Sequence, residues 1–185
     1  MTTLKVHNIE NAPAASKERL ESAKKQNGFV PNLYGVFAAS PGIFEAYQTI
    51  HKLFTESSFN NDELTVIWQT INVEHECHYC VPAHTAIAHS MNVDANITEA
   101  LRNGTQLPNN KLQALHETTL KLVRNRGRLS QADLDTFYNA GYGEQQVLEI
   151  ILGISQKTIS NYTNHIANTP VDEAFQPFAW EATTV

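Results

Sequence analysis

The stretch that decides the fold is residues 74–84, which read E-H-E-C-H-Y-C-V-P-A-H. Cys77 and Cys80 form a C-x-x-C pair, and His84 follows four residues after the second cysteine. The three positions share one face of a continuous helix, because residues three or four apart are neighbours on a helix surface. Proline is tolerated in the first turn of a helix, so Pro82 places both cysteines at the very start of this helix.

Helical periodicity continues on both sides of this stretch. A helix is predicted over about 74–91, with Asn92 as its left-handed stop, since asparagine tolerates positive φ. No alternation of apolar and polar residues lasts long enough to predict a strand, so the expected fold class is all-α. The other helix signals are Ser40-Pro41, Asn61-Asp62, Asp94 to Gly104, Leu112 to Gly127, Ser130 to Gly141, and the stripe of Val147, Ile151, Ile154, Thr158 and Tyr162.

The length of 185 residues fits one domain, given a usual domain size of about 100–150 residues. The sequence G-F-V-P at 28–31 breaks the helical pattern and marks a soft boundary. We therefore predict an N-terminal arm over 1–30, a single helical domain over 31–175 and a C-terminal tail over 176–185.

Composition excludes several classes of protein. The net charge is −6 and the basic residues are scattered, so we expect no nucleic-acid binding. No run approaches the roughly 18–20 apolar residues that span a bilayer, and the N-terminus does not resemble a secretory signal. Two cysteines three residues apart cannot form the disulfide framework of a secreted domain. The sequence predicts a globular protein of the cytoplasm with no membrane partner.

The thiol pair is the candidate reactive group. The partial positive charge at a helix N-terminus favours a thiolate, and thiols one turn apart can close a disulfide. His84 lies one turn from Cys80 and can take its proton directly or through a water molecule. The pattern therefore indicates thiol redox chemistry at Cys77 and Cys80.

The density of histidines leaves a second interpretation open. Cys77, Cys80 and His84 could bind zinc, with His75, His78 or Glu76 as the fourth ligand. Structural zinc sites usually take ligands from two separated chain segments, and no second C-x-x-C motif exists here. The alternative function is thus a non-catalytic metal-binding or redox-sensing helical module.

The string V-E-H-E-C-H-Y-C-V-P-A-H-T within an all-helical chain resembles the alkylhydroperoxidase D and carboxymuconolactone decarboxylase superfamily, in particular its uncharacterised peroxidase-related branch. The downstream segment 159–172, together with Pro31-Asn32 and Pro41, carries the same resemblance. It extends from about residue 31 to residue 175. The resemblance implies a helical bundle of this superfamily that needs no cofactor and assembles as a homo-oligomer.

The resemblance also implies a thiol peroxidase that acts on organic hydroperoxides. Carried over to this sequence, Cys80 attacks the hydroperoxide, Cys77 resolves the sulfenic acid as a disulfide, and His84 belongs to a proton relay. The disulfide is then reduced by a thiol partner of the lipoylated or thioredoxin-like kind, which the sequence does not identify.

One position departs from the family pattern. The relay glutamate expected twelve residues before the first cysteine is Thr65 here. Glu74 and Glu76 lie beside the pair and are candidates to replace it, and Glu76 is four residues before Cys80. An enzyme acting on a small carbonyl or lactone substrate, in which the cysteines would be dispensable, is a third interpretation.

Tyr162 and His165 lie in the downstream segment, three residues apart. Their helical spacing allows the two side chains to lie near one another. Together with Asn161, they are expected either to line the thiol pocket or a contact between subunits, or simply to pack within the fold.

Overall fold

A computed structural model of the protein describes residues 4–182. This part of the chain forms nine α-helices and a short 3₁₀ helix, and it contains no strand. The predicted all-α class is therefore confirmed. The helices are α1 (Ala14–Asn27), α2 (Asn32–Phe37), α3 (Pro41–Thr55), α4 (Asn61–Glu74), α5 (Cys80–Ser90), α6 (Ala95–Asn103), α7 (Asn110–Arg124), α8 (Gln131–Asn139) and α9 (Glu144–Ala167), followed by the 3₁₀ helix Glu173–Phe178.

Helix α4 is the centre of the fold. All of its residues from 63 to 72 are buried, which is the behaviour of a helix covered on every side. It packs against α5, α6, α7 and α9. Its largest core side chain is Trp68, which meets Phe54 of α3 edge-on at a centroid distance of 5.4 Å. The two helices that carry the thiols and the polar groups around them, α5 and α9, are thus both held against α4.

The long helix α9 crosses α3 and α4 closely. Gly153 permits this approach, because a Cβ atom there would lie 2.9 Å from the Phe54 ring. Contrary to the predicted apolar stripe, Ile151 and Tyr162 of α9 are exposed. Beyond Gly153, the buried face of α9 is mostly polar and consists of Gln156, Lys157, Ser160, Asn161 and Asn164, with Ala167 at its end.

Most helix limits follow the signals in the sequence. Ser130 caps α8 in a capping box with Asp133, and Asn92 adopts the left-handed conformation after α5. The predicted start of the helix over 74–91 is wrong, because Glu74 is the last residue of α4 and α5 begins only at Cys80.

A left-handed turn separates these two helices. Glu76 has φ of 50°, its N–H donates to the carbonyl of Val73, and the N–H of Cys77 donates to the carbonyl of Asn72. This is the Schellman pattern of a helix C-terminus, with glutamate in the position that glycine usually takes. The turn fixes Cys77 directly before the first turn of α5.

Both ends of the described chain pack on this body. The N–H of His7 donates to the carbonyl of Gly35 at 2.9 Å. At the other end, the Arg102 guanidinium donates to the carbonyls of Phe178 and Ala179, and the Trp180 indole donates back to the Arg102 carbonyl. The first residues of the predicted tail are therefore in contact with α6.

No helix between residues 4 and 182 combines the length and the apolar character that a membrane crossing requires.

Candidate active site

The two cysteines lie side by side in the interior. Cys80 is the first residue of α5, and its backbone N–H donates to Cys77 Sγ at 3.3 Å. Both side chains are buried and are not joined by a disulfide in this structure. Because both sulfurs belong to one turn, each is within reach of the other for disulfide exchange.

Helix α9 surrounds Cys80 with polar groups. The Asn164 amide donates to Cys80 Sγ at 3.2 Å. Burial alone would raise the pKa of Cys80, but the hydrogen bond from Cys77, the charge of Lys157 and the hydrogen bonds from Ser160 and Asn164 together lower that pKa to about 6. The hydrogen bond to Cys80 and burial instead raise the pKa of Cys77. The surroundings therefore favour a thiolate at Cys80 over one at Cys77.

Lys157 is the residue that the sequence analysis missed. Its side chain is 0% exposed, and its Nζ lies 2.8 Å from Nε2 of His84. Burial lowers the pKa of Lys157, whereas Cys80 and Cys77 act in the opposite direction. An isolated buried ammonium is strongly unfavourable, so the Cys80 thiolate is its natural counter-charge. The sequence did carry a signal, since the polar residues of α9 recur on one face from Gln156 to Asn164.

His84 contacts Lys157 and lines the same cavity as Cys80. An ammonium can only donate, so Nε2 of His84 accepts and the imidazole carries its proton on Nδ1. Burial and the charge of Lys157 hold the pKa of His84 well below its usual value. Among residues 4–182, Nδ1 has no hydrogen-bond partner although it is buried. His84 is thus a neutral imidazole that accepts from Lys157 at Nε2 and carries at Nδ1 a proton with no acceptor among the described residues.

Neither candidate glutamate, Glu74 or Glu76, lines the cavity that Cys80 and His84 line. The Glu74 carboxylate binds the Arg124 guanidinium through two hydrogen bonds of 2.8 Å. Glu76 is exposed in the left-handed turn. The helical spacing that suggested Glu76 as a partner of Cys80 is wrong, because the helix begins at Cys80.

The segment after α9 holds the cysteine loop in place. The Tyr79 hydroxyl donates to the Asp172 carboxylate and accepts from the backbone N–H of Leu33. The Asp172 carboxylate also accepts from the N–H of Asn32 at 3.0 Å, and His78 Nε2 donates to the carbonyl of Thr169. These hydrogen bonds connect α2 and the segment after α9 to His78 and Tyr79, the two residues directly before Cys80.

Tyr162 and His165 do not line the thiol pocket. Both are exposed on α9, and the Tyr162 ring packs on His75 at a centroid distance of 5.6 Å. Their neighbour Asn161 is buried and donates to Nδ1 of His75 at 3.1 Å. The expectation that they line the pocket is wrong, and the expectation of a subunit contact stays a prediction.

The alternative zinc site does not assemble in this structure. Across residues 4–182, no three side chains of histidine, cysteine, aspartate or glutamate are grouped so that they could bind one metal ion. His84 contacts Lys157, while His75 and His78 contact Asn161 and Thr169. The predicted ligands therefore point to different partners.

A cavity of about 520 Å³ opens beside Cys80, His84 and Lys157. Its wall is largely apolar, and its larger side chains include Phe29, Tyr34, Tyr47, Trp68, Ile87 and Phe175. This size and character suit a small organic molecule of the kind that apolar pockets bind. His51 of α3 also lines it, and burial together with the charge of Lys157 lowers the pKa of His51 to about 4.

The fold resembles solved structures along nearly the whole chain. It is similar to the alkylhydroperoxidase AhpD core of an uncharacterized peroxidase-related protein from Ralstonia eutropha JMP134, with a TM-score of 0.84 and 19% identity over 94% of both chains. It is also similar to an uncharacterized peroxidase-related protein from Silicibacter sp. TM1040, with a TM-score of 0.79 and 17% identity over 94% of this chain and 93% of the other.

A third similar structure is a cysteine-to-alanine variant of the debrominase Bmp8, in complex with 2,3,4-tribromopyrrole. Its TM-score is 0.73, with 16% identity over 89% of both chains. No protein-family profile and no curated protein matches the chain. At these identities the likeness shows the fold, so the chain has the AhpD-like all-α fold that its sequence predicted.

Proposed function

We propose that the protein is a thiol-dependent peroxidase that reduces organic hydroperoxides at Cys80. The observation that carries this proposal is the position of Cys80 beside the buried Lys157, at the wall of an apolar cavity. A thiolate that is ready at neutral pH and adjacent to a space for an organic molecule is the arrangement that such a reaction needs. The likeness to the AhpD core supports the same function.

The first step is attack of the Cys80 thiolate on the terminal oxygen of the hydroperoxide. A sulfur–oxygen bond forms, the oxygen–oxygen bond breaks, and Cys80 becomes a sulfenic acid. The leaving alkoxide takes the proton from Nδ1 of His84, while Lys157 gives its proton to Nε2. His84 thus relays a proton that enters the ring at Nε2 and leaves it from Nδ1.

In the second step Cys77 attacks the sulfur of the sulfenic acid. The sulfur–sulfur bond forms, and the hydroxyl group leaves as water with the Cys77 proton. Lys157 is then neutral. The sum is two thiols and one hydroperoxide giving one disulfide, one alcohol and one water. A dithiol reductant of the lipoylated or thioredoxin-like kind would complete the cycle.

We also propose a homo-oligomer, with α9 and the neighbouring part of α3 at its interface. Large apolar side chains are exposed there, and a concentration of exposed apolar side chains favours a contact with another protein. They are Leu53, Leu148, Ile151, Tyr162 and Ile166. Light scattering should give a multiple of the 20.7 kDa chain mass, and Leu148→Glu should lower it.

The decisive experiment is the intact mass of the anaerobically reduced protein before and after one equivalent of cumene hydroperoxide. We expect the loss of two hydrogens in the wild type and no loss in Cys80→Ser. Cys77→Ser should instead gain one oxygen, because the sulfenic acid is not resolved. An unchanged wild-type mass would contradict the proposal and favour a sensor module or an enzyme on a carbonyl or lactone substrate.

A second candidate function is reductive removal of halogen from a haloaromatic compound. The similar debrominase bound to 2,3,4-tribromopyrrole and the aromatic wall of the cavity favour it. Here the Cys80 thiolate would take the bromine, the ring carbon would take a proton from His84, and Cys77 would displace bromide to give the disulfide. Release of bromide from a brominated pyrrole, in step with loss of two hydrogens, tests this function.

A further inference from the structure

A chain of hydrogen bonds fixes which nitrogen of His51 carries its proton. The Trp68 indole donates to Oε1 of Gln156 at 2.8 Å, and because an indole only donates, the amide oxygen must face it. The amide nitrogen of Gln156 then faces Nδ1 of His51 at 2.9 Å and donates to it. Nδ1 of His51 is therefore an acceptor, and the proton is on Nε2.

The His51 ring is also held in place and kept neutral. It stacks on Tyr47 with an interplanar angle of 5° and on Trp68 with an angle of 21°. Burial and the charge of Lys157 disfavour its cationic form. Across the described residues, Nε2 of His51 has no hydrogen-bond partner, although the ring lines the cavity. The result is a rigid neutral N–H donor at an apolar wall.

From this geometry we infer that His51 binds the ligand of the cavity through Nε2–H, which donates a hydrogen bond to an oxygen of an uncharged aromatic compound. Lys157 and the Cys80 thiolate balance each other, so neither leaves a net charge to attract an ion. Gln156 is a positioning residue, since it acts through His51. Identifying the ligand as an aromatic hydroperoxide rests on the proposed function.

Two ligands of matched shape test the hydrogen bond. Acetophenone carries a carbonyl oxygen where α-methylstyrene carries a CH₂ group, and neither is a hydroperoxide. Binding to the reduced wild-type protein is measured by titration calorimetry. His51→Phe should lower the affinity for acetophenone about threefold to tenfold, which is the range for one lost hydrogen bond. The affinity for α-methylstyrene should not change. The exposed His165→Phe is the matched control and should change neither.

A second variant turns Nε2 of His51 from a donor into an acceptor and keeps the imidazole ring. In Gln156→Glu the carboxylate accepts from Trp68 and also from Nδ1–H of His51, so Nε2 becomes an acceptor. The affinity for acetophenone should then fall as it does in His51→Phe. Nitrogen-15 spectra of the histidines should show the His51 proton on Nε2 in the wild type and on Nδ1 in the variant.

Several results overturn the inference. They are a wild type that does not bind acetophenone, equal losses for both ligands in His51→Phe, or a wild-type proton on Nδ1 of His51. Turnover of cumene hydroperoxide is measured on the same samples. If the ligand results hold and the wild type does not reduce the hydroperoxide, the proposed function fails while the ligand site stands.

Discussion

Replacing Lys157 with methionine removes the buried positive charge beside Cys80 and keeps a side chain of similar length. The charge is among the causes that lower the pKa of Cys80 from 9.0 to about 6, against the opposing effect of burial. Burial and the hydrogen bonds from Cys77, Ser160 and Asn164 remain in Lys157→Met, and the loss of an adjacent opposite charge raises a pKa by about 1–3. The midpoint of Cys80 ionisation should therefore rise by about two pH units.

This shift changes the thiolate fraction more than it changes the reaction rate. At pH 7 the fraction ionised then falls from about nine-tenths to about one-tenth. A thiolate two pKa units more basic is also about 6- to 10-fold more reactive, given a Brønsted slope of about 0.4–0.5. The rate at pH 7 should thus fall by less than about twofold. The midpoint of the pH profile is the sharper readout.

The assay is alkylation of the reduced protein by iodoacetamide from pH 5 to pH 10, with the label located by peptide mass. The alkylation rate of wild-type Cys80 should reach its plateau near neutral pH, whereas the rate of Lys157→Met should keep rising through pH 8. Lys25→Met removes an exposed lysine of α1 and is the control, with no expected shift. Equal midpoints in the wild type and Lys157→Met would refute the role of the buried lysine.

Three further changes follow from contacts of single side chains. Asn164→Leu removes the donor to Cys80 Sγ and should raise the alkylation midpoint by about one pH unit, as expected for a hydrogen bond to a charged group; no rise would contradict the contact. Glu74→Gln breaks the surface ion pair with Arg124 and should change the free energy of unfolding in urea by less than about 1 kcal/mol. Oxidation of Cys80 should be unchanged, and its loss would mean that Glu74 takes part in catalysis. Gly153→Ala forces a methyl group against Phe54 and should lower the free energy of unfolding by about 1–3 kcal/mol; an unchanged value would mean that α9 shifts freely.

Local chemistry explains which parts of the fold the sequence predicts. The capping box at Ser130 and the left-handed Asn92 depend on residues within one turn, and both are confirmed. The turn at Glu76 was not predicted, because glutamate has no local preference for positive φ. Two local hydrogen bonds close this turn, and the loop that follows it is held by contacts remote in sequence, such as the hydrogen bond of Tyr79 to Asp172.

The same distinction applies to the site. Cys77, Cys80 and His84 are close in sequence, so their spacing alone placed them together. Lys157 comes from a helix far along the chain, and its contact with His84 spans 73 residues. Apolar periodicity found only part of the buried surface of α9, since Val147 and Ile154 pack against the core whereas the face that meets the thiols is polar. A stripe of buried polar residues has the same period as a solvated face, and only tertiary contacts tell the two apart.

The buried Lys157 affects the pKa of Cys80 in the opposite direction to a carboxylate. A carboxylate near a thiol raises its pKa by repulsion, whereas the ammonium of Lys157 lowers the pKa of Cys80. In the proposed mechanism the thiolate charge leaves with the alkoxide, and Lys157 is then a buried cation without a counter-charge. Its lowered pKa favours release of its proton at that moment, through His84 to the product. In this mechanism one electrostatic change couples attack to proton delivery, and the coupling needs no glutamate at the position of Thr65.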